Sequence, residues 1–386
     1  MNPALGGLSA YLFSITPAVA ALGHSSEIVC LDDPGESFLS TVPVPVHALG
    51  PARLGYAYAP GLRPWLQAEV ARFDAVVVHG LWQYHGLAMQ QVFAHRATPP
   101  YFVFSHGMLD PWFKRQYPFK HLKKSLYWWL AERRVLRGAA AVLFTGEEER
   151  RLARESFAGS SYAERVVTFG TAAPPDDATG QLAAFFHRMP ELRDTPYWLF
   201  LGRIHPKKGA DLLIEAYARL TAGGGAWPRL VMAGPCADAA YLAQLQAHAA
   251  AHCPAGAVRW PGMLRDETKW GALRAAEAFV LPSHQENFGI AVAEALACGT
   301  PVLISDQVNI WREVTGDGAG LAGPDTADGT FDLLNQWSAL DAGTRRQMRA
   351  TARRTFLSRY EIGAGARSLM NVLQGPQPCR RTLVLA

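Results

Sequence analysis

The 386-residue sequence is poor in charge and lacks the patterns that mark a metal site or a disulfide framework. Charged residues make up only 18%, with 37 Lys and Arg against 33 Asp and Glu. So mild a positive balance, without any DNA- or RNA-binding motif, points away from nucleic acid; it permits an anionic ligand or an anionic membrane surface. The five cysteines (Cys30, Cys236, Cys253, Cys298 and Cys379) are odd in number and scattered, with no C-x-x-C pair. That argues against both disulfides and zinc and fits a reducing cytoplasm. The 12 histidines show no H-E-x-x-H spacing. Long hydrophobic runs are missing too. Residues 8–23 are almost all apolar and carry Ala18-Val19-Ala20, which looks like a signal-peptidase site. No Lys or Arg precedes them, Pro17 and two serines interrupt them, and the stretch is too short to span a bilayer, so it reads as a buried helix. There is no internal repeat and no low-complexity tract.

What is present is an alternation of two periods. Short apolar runs at 27–31, 75–78, 101–104 and 141–144 read as buried parallel strands separated by helical patterns. The series restarts at 197–201, 230–233, 278–281 and 301–304. Between them, residues 170–177 carry the turn-rich Gly170-Thr171-Ala172-Ala173-Pro174-Pro175 and read as a linker. The expectation is an α/β protein of two doubly wound domains, 1–172 and 173–386, whose sheets face a cleft and bind ligands beyond the carboxyl ends of their strands. Residues 341–374 read as helical with a break near 361–365, and the last part is expected to cross back to the first domain.

Two elements carry chemistry. The first, 202–209, reads Gly202-Arg203-Ile204-His205-Pro206-Lys207-Lys208-Gly209 between a strand and a helix. A strand–loop–helix with glycines is a natural anion site, because helix N–H groups point at the ligand. Arg203 and Lys208 add cations that could stabilise a departing diphosphate without a metal. A solvated basic turn is the plainer alternative. The second, 286–294, places Glu286 in a loop and Glu294 on the following helix, seven residues intervening. The main-chain N–H groups of Phe288, Gly289 and Ile290 would then open a helix, suited to phosphate oxygens, and the carboxylates suit sugar hydroxyls. Two surface glutamates on a capped helix would look the same.

Together the two elements resemble retaining glycosyltransferase family 4, the group 1 type of GT-B fold. The match is G-R-x-x-x-x-K-G at 202–209 and E-x7-E at Glu286 and Glu294, with 295–302 also similar. The resemblance covers nearly the whole chain and implies the roles that follow. Arg203 and Lys208 would bind the donor diphosphate, Glu286 the donor sugar, and Glu294 the ribose. Phe288, Gly289 and Ile290 would offer main-chain donors, and Met263 and Leu264, after a strand at 258–261, would flank the base. Gly6 and Gly7 resemble the family's glycine-rich loop, and His106 the histidine facing the donor sugar. His79, which ends a strand in the same way, is an acceptor-side candidate. The resemblance further implies transfer of a hexose from a UDP- or GDP-type donor to a saccharide or polyprenyl-linked acceptor, with retention, without a metal and without a cofactor. Surface polysaccharide synthesis at the inner face of the cytoplasmic membrane is the expected setting. Asp32-Asp33, superficially a metal-binding pair, reads as a strand-end turn.

One departure and one extra signal stand out. A family member has a first strand ahead of the glycine-rich loop, whereas here Met1 abuts that loop. Either a strand position is vacant or, the reading preferred, the start lies upstream. Residues 112–137 are basic and aromatic, with Lys114, Arg115, Lys120, Lys123 and Lys124 among Trp112, Phe113, Phe119, Trp128 and Trp129. They suit an anionic membrane interface, or else a helix with one wet and one buried face. A catalytically silent GT-B subunit, binding nucleotide or scaffolding a partner, is the rival reading. A GT-B phosphorylase with a pyridoxal lysine is disfavoured, since nothing near Lys207 or Lys208 suggests a Schiff-base site.

Overall fold

The computed structural model describes residues 1–2, 7–53, 55–94, 99–159, 161–374 and 381–386. Gly6 and Cys379 lie outside the described residues. The strands are β1 (Ser25–Cys30), β2 (Val46–Ala48), β3 (Ala75–His79), β4 (Tyr101–Phe104), β5 (Ala141–Phe144), β6 (Glu164–Val166), β7 (Tyr197–Leu201), β8 (Arg229–Ala233), β9 (Val258–Gly262), β10 (Ala278–Leu281), β11 (Val302–Ser305), β12 (Gly320–Gly323) and β13 (Arg381–Leu385). Every residue of β3, β4, β5, β7, β10 and β11 is buried. Helices cover both faces of a parallel sheet, so its central strands need continuous apolar runs rather than alternation. Those runs are what the sequence displayed. The short strands β2, β6 and β12, which it did not display, are only partly buried and carry weaker patterns.

The chain forms two compact units, Met1–Thr171 with Ile362–Ala386, and Ala172–Glu361. The first has a seven-stranded sheet of order β2-β1-β13-β3-β4-β5-β6, and the second a six-stranded sheet of order β12-β11-β10-β7-β8-β9. All pairs within both sheets are parallel. In the second sheet the strand order reverses between β10 and β7, the place where open α/β sheets leave a crevice for ligands. In the first it reverses around β13 and β3.

The apolar stretch at 8–23 becomes the helix Gly7–Ala21, which buries Tyr11, Leu12, Ile15 and Val19. The helical C-terminal region breaks at Glu361, after a π-turn at Phe356–Tyr360. Its last helix, Ile362–Leu373, belongs to the first unit and packs against Gly7–Ala21. The Thr168 amide donates to Ser368 Oγ at 3.0 Å and ties the two ends of that unit together.

Of the two readings of the chain's start, the alternative of a vacant strand position is the one the structure corrects. The slot between β1 and β3 is filled by β13, from the far end of the chain. Leu383 lies opposite Glu27 on one side and Val76 on the other. Leu383 and Leu385 are fully buried. The Arg381 amide donates to Asp74 Oδ2 at 2.7 Å and the Ala386 amide to Val29 O at 2.9 Å. A five-residue strand with three apolar residues, Leu383, Val384 and Leu385, carries no local hint of where it pairs, because sheet order is a long-range property.

With β13 at the centre of the first sheet, Leu383→Ala is expected to cost about 2–5 kcal/mol, as other large-to-small core changes do. Urea unfolding should show the loss in the first unit's transition only. A change below about 0.5 kcal/mol, the range of neutral surface substitutions, would deny β13 that role.

Candidate functional site

In the second unit the first motif follows β7. Pro206–Lys208 forms a single 3-10 turn whose leading residue, His205, accepts the Lys207 amide on its ring at 3.1 Å. Gly209 then takes φ +67° and starts the helix Ala210–Ala222. A Cβ there would lie 2.1 Å from Pro282 O, so only glycine lets this loop approach the end of β10 so closely. The approach is fastened by Lys207 O, which accepts from the His284 amide at 2.9 Å and from Ser283 Oγ at 3.0 Å.

The consequence is chemical. The Lys208 ammonium meets the Glu286 carboxylate in an ion pair between partly buried side chains. Glu286 is itself held by a parallel bridge to Val308: its amide donates to Gln307 O and its carbonyl accepts from Asn309, both at 3.0 Å. Gly289, at φ +75°, turns the chain into the helix Ile290–Ala297. Phe288 is buried and meets the Tyr360 ring edge-on at 5.5 Å. Glu294, one turn into that helix, receives the Lys269 ammonium at 2.7 Å. Arg203 is exposed at the mouth of the first loop. Burial, then the charges of Arg203, Lys207 and Lys208, hold the His205 imidazole below its usual value. After β9, Met263 is exposed and Leu264 buried. The second unit thus brings Lys208, Glu286, Phe288, Gly289 and Ile290 together at the β7–β10 reversal, with two carboxylates already matched to lysines.

In the first unit, His79 ends β3 and His106 follows β4. Their rings stack at 5.0 Å, and His79 Nδ1 and His106 Nε2 are 2.8 Å apart, a hydrogen bond. Phe104 stacks on His106 at 4.6 Å, while Tyr11 and Phe169, themselves stacked at 4.1 Å, close the other side. Burial among these rings pushes the His106 imidazole down to about 3, and His79 falls well below its usual value by burial, then by the nearby His106 and His85. Both histidines are therefore neutral at physiological pH, and the shared bond gives one ring the donor role and the other the acceptor role. Gly7 opens the first helix on the surface, where a Cβ would meet nothing within 4 Å. His79 is buried and partnered by His106 rather than presented on an open surface.

Two residues were not singled out from the sequence. Lys269, on the helix Asp266–Ala275, holds Glu294, and Glu149 lies buried beneath the His106 loop. A lone lysine on a helix is usually solvated, and Glu149 is the third of three consecutive glutamates. Neither had a local signal. Among the described residues no group of three or more His, Cys, Asp or Glu could hold a metal ion.

Comparison with known proteins agrees with this layout. Residues 185–355 match the family model described as glycosyl transferases group 1, and residues 6–172 that of a glycosyl transferase 4-like domain. Among curated relatives, a D-inositol 3-phosphate glycosyltransferase of Jonesia denitrificans is 33% identical over 159 residues, 40% of this chain and 38% of that protein. The O-antigen chain mannosyltransferase B of Escherichia coli is 32% identical over 133 residues, 34% of each chain. The chain thus matches less than half of the length of either. Among solved structures, sucrose-phosphate synthase from Thermosynechococcus elongatus superposes with a TM-score of 0.72 at 20% identity, over 95% of this chain and 92% of that one. HepE from Anabaena, solved with UDP and glucose, gives 0.71 at 15% identity over 95% and 96%. These two share the fold. With both family models matched, one on each side of the linker and each in its own parallel sheet, the chain belongs to the group 1 glycosyltransferases of GT-B fold.

Proposed function

We propose that this chain transfers a hexose, with retention and without a metal, from a UDP- or GDP-type donor to a hydroxyl of a saccharide or polyprenyl-linked acceptor. The observation that carries the reading is the Lys208–Glu286 pair at the reversal between β7 and β10, set by two left-handed glycines. Lys208 and Arg203 take the diphosphate and stabilise the negative charge that grows on it as the sugar leaves. Glu286 accepts from the sugar hydroxyls, and the first amides of the helix Ile290–Ala297 from a phosphate oxygen. Glu294, oriented by Lys269, takes the ribose hydroxyls, and Met263 and Leu264 flank the base. Neutral His106 faces the sugar and, having no charge, does not compete with the cations for the phosphate. Attack on the same face as departure, with a donor phosphate oxygen taking the acceptor proton, needs no enzymic nucleophile. That the relatives are named for an inositol phosphate and an O-antigen chain as acceptors supports a polyol or saccharide hydroxyl and a role in surface polysaccharide synthesis.

The acceptor side reads as membrane-proximal. In 112–137 the helix Pro118–Tyr127 presents Phe119, Leu122 and Leu126 on one face, continued by Trp129 and Leu130, all exposed. Lys114, Arg115, Lys120, Lys123, Arg134 and Arg137 surround them and are exposed too. No helix of the described residues is long and apolar enough to cross a membrane. This face is therefore read as lying on the inner leaflet rather than entering it.

Thermal shift across UDP, GDP, ADP and their hexose conjugates tests the donor. One nucleotide at a hundredfold excess over its dissociation constant should stabilise the wild type by about 2.7 kcal/mol. Lys208→Ala removes a charge-assisted contact worth about 1.5–3 kcal/mol and should weaken that nucleotide ten- to a hundredfold. Binding without any transfer or donor hydrolysis would favour the silent-subunit reading instead. For the membrane, Phe119→Glu with Leu122→Glu should cut co-sedimentation with anionic vesicles about tenfold or more, given the apolar area involved. Wild-type binding should also fall as salt rises, since each lysine near the surface adds about 1 kcal/mol of screened attraction. Salt-independent or unchanged sedimentation would remove the membrane from the scheme.

A further inference from the structure

Three glutamates open the helix Glu147–Ala153, and the fold uses them differently. Glu148 is partly buried, and its carboxylate meets the exposed Arg151 at 2.8 Å. Glu149 turns inward and is 3% exposed. Its Oε1 accepts from Ser105 Oγ and from the Gly107 amide, both at 2.6 Å. Its Oε2 accepts from the Thr145 amide and from Thr145 Oγ1, both at 2.7 Å. Four donors thus converge on one carboxylate.

The two donors on Oε1 flank His106 in the sequence. Between them the chain takes φ +48° at His106 and +73° at Gly107. A non-glycine residue held in the left-handed region is strained and persists only where its surroundings insist on it. Here the insistence comes from Glu149, because the Ser105 hydroxyl and the Gly107 amide can reach the same oxygen only when the loop folds back on itself. The other oxygen anchors the same carboxylate to Thr145, beyond the end of β5. A carboxylate accepts on both oxygens and donates from neither, whereas a carboxamide has one acceptor and would turn its NH2 toward two donors.

We propose that Glu149 is a positioning residue: it fixes the Ser105–His106–Gly107 turn and so the place and tilt of the His106 ring against His79. This deepens the reading above and rests on His106 facing the donor sugar. Glu149 touches no substrate; it acts through the loop.

The test is Glu149→Gln, with His106→Ala and the double variant, in the full chain. The expected result is a kcat lower by about ten- to a hundredfold, the penalty of a misplaced group, with the affinity for the nucleotide alone unchanged. In a double-mutant cycle the substitution should cost little further once His106 is alanine, because the two act as one unit. Histidine ring NMR supplies a readout independent of turnover: the His79 and His106 resonances should move together while those of distant histidines such as His248 and His252 stay. If Glu149→Gln does not fold, Ser105→Ala removes one donor from the same oxygen and should show the same signature more weakly. Unmoved His106 resonances, or a loss of kcat that adds fully to that of His106→Ala, would overturn the assignment. A wild type that turns over no sugar, with resonances that still move, would instead reject the transferase reading and leave the positioning by Glu149 standing.

Discussion

The second unit depends on one close approach, that of Gly209 to the carbonyl of Pro282. A side chain at Gly209 would lie 2.1 Å from that oxygen, and the loops after β7 and β10 would have to part. Because they do not part, Lys207 O can take both the His284 amide and Ser283 Oγ, and the Lys208 side chain lands on Glu286. A cation and a carboxylate are thereby held against each other. The same occurs at Lys269 and Glu294. Pairing lowers the cost of partly burying each charge and keeps the geometry ready, since an unpaired partly buried charge would pull its side chain out to water.

The first unit solves the same problem with neutral groups. Its histidines are stripped of charge by the Tyr11, Phe104 and Phe169 rings, and they bond to each other rather than to an ion. The one charged group below them, Glu149, is matched by four N–H and O–H donors and not by a cation.

The seven-stranded sheet places the two histidines at the ends of neighbouring strands, His79 as the last residue of β3 and His106 just after β4, and β13 fills the sheet between β1 and β3. A gap between β1 and β3 would leave a row of main-chain donors and acceptors unpaired in the middle of the unit. The chain's last described residues remove that gap: β13 satisfies both neighbours and buries Leu383 and Leu385. The helix that opens at Gly7 thus belongs to a unit whose sheet has no gap between β1 and β3.

By itself the sequence determined the two parallel sheets, because a strand buried on both faces must be a continuous apolar run, as at 101–104 or 278–281. It also displayed the two loop motifs at 202–209 and 286–294. Glycines at positive φ and the residues beside them form local patterns, so Gly209, Lys208, Glu286 and Gly289 were legible as motifs. Only the tertiary structure decided what those residues touch. That Lys208 meets Glu286, that Lys269 holds Glu294, that His79 is the partner of His106 and that the third of three glutamates is a buried clamp all depend on strands adjacent in space but distant in sequence. The same holds for β13, whose five residues find their place between β1 and β3 through pairing across more than 300 positions. Local periodicity reports how a segment is buried; which segment buries it is set by the sheet order, and that is written in no single stretch of the chain.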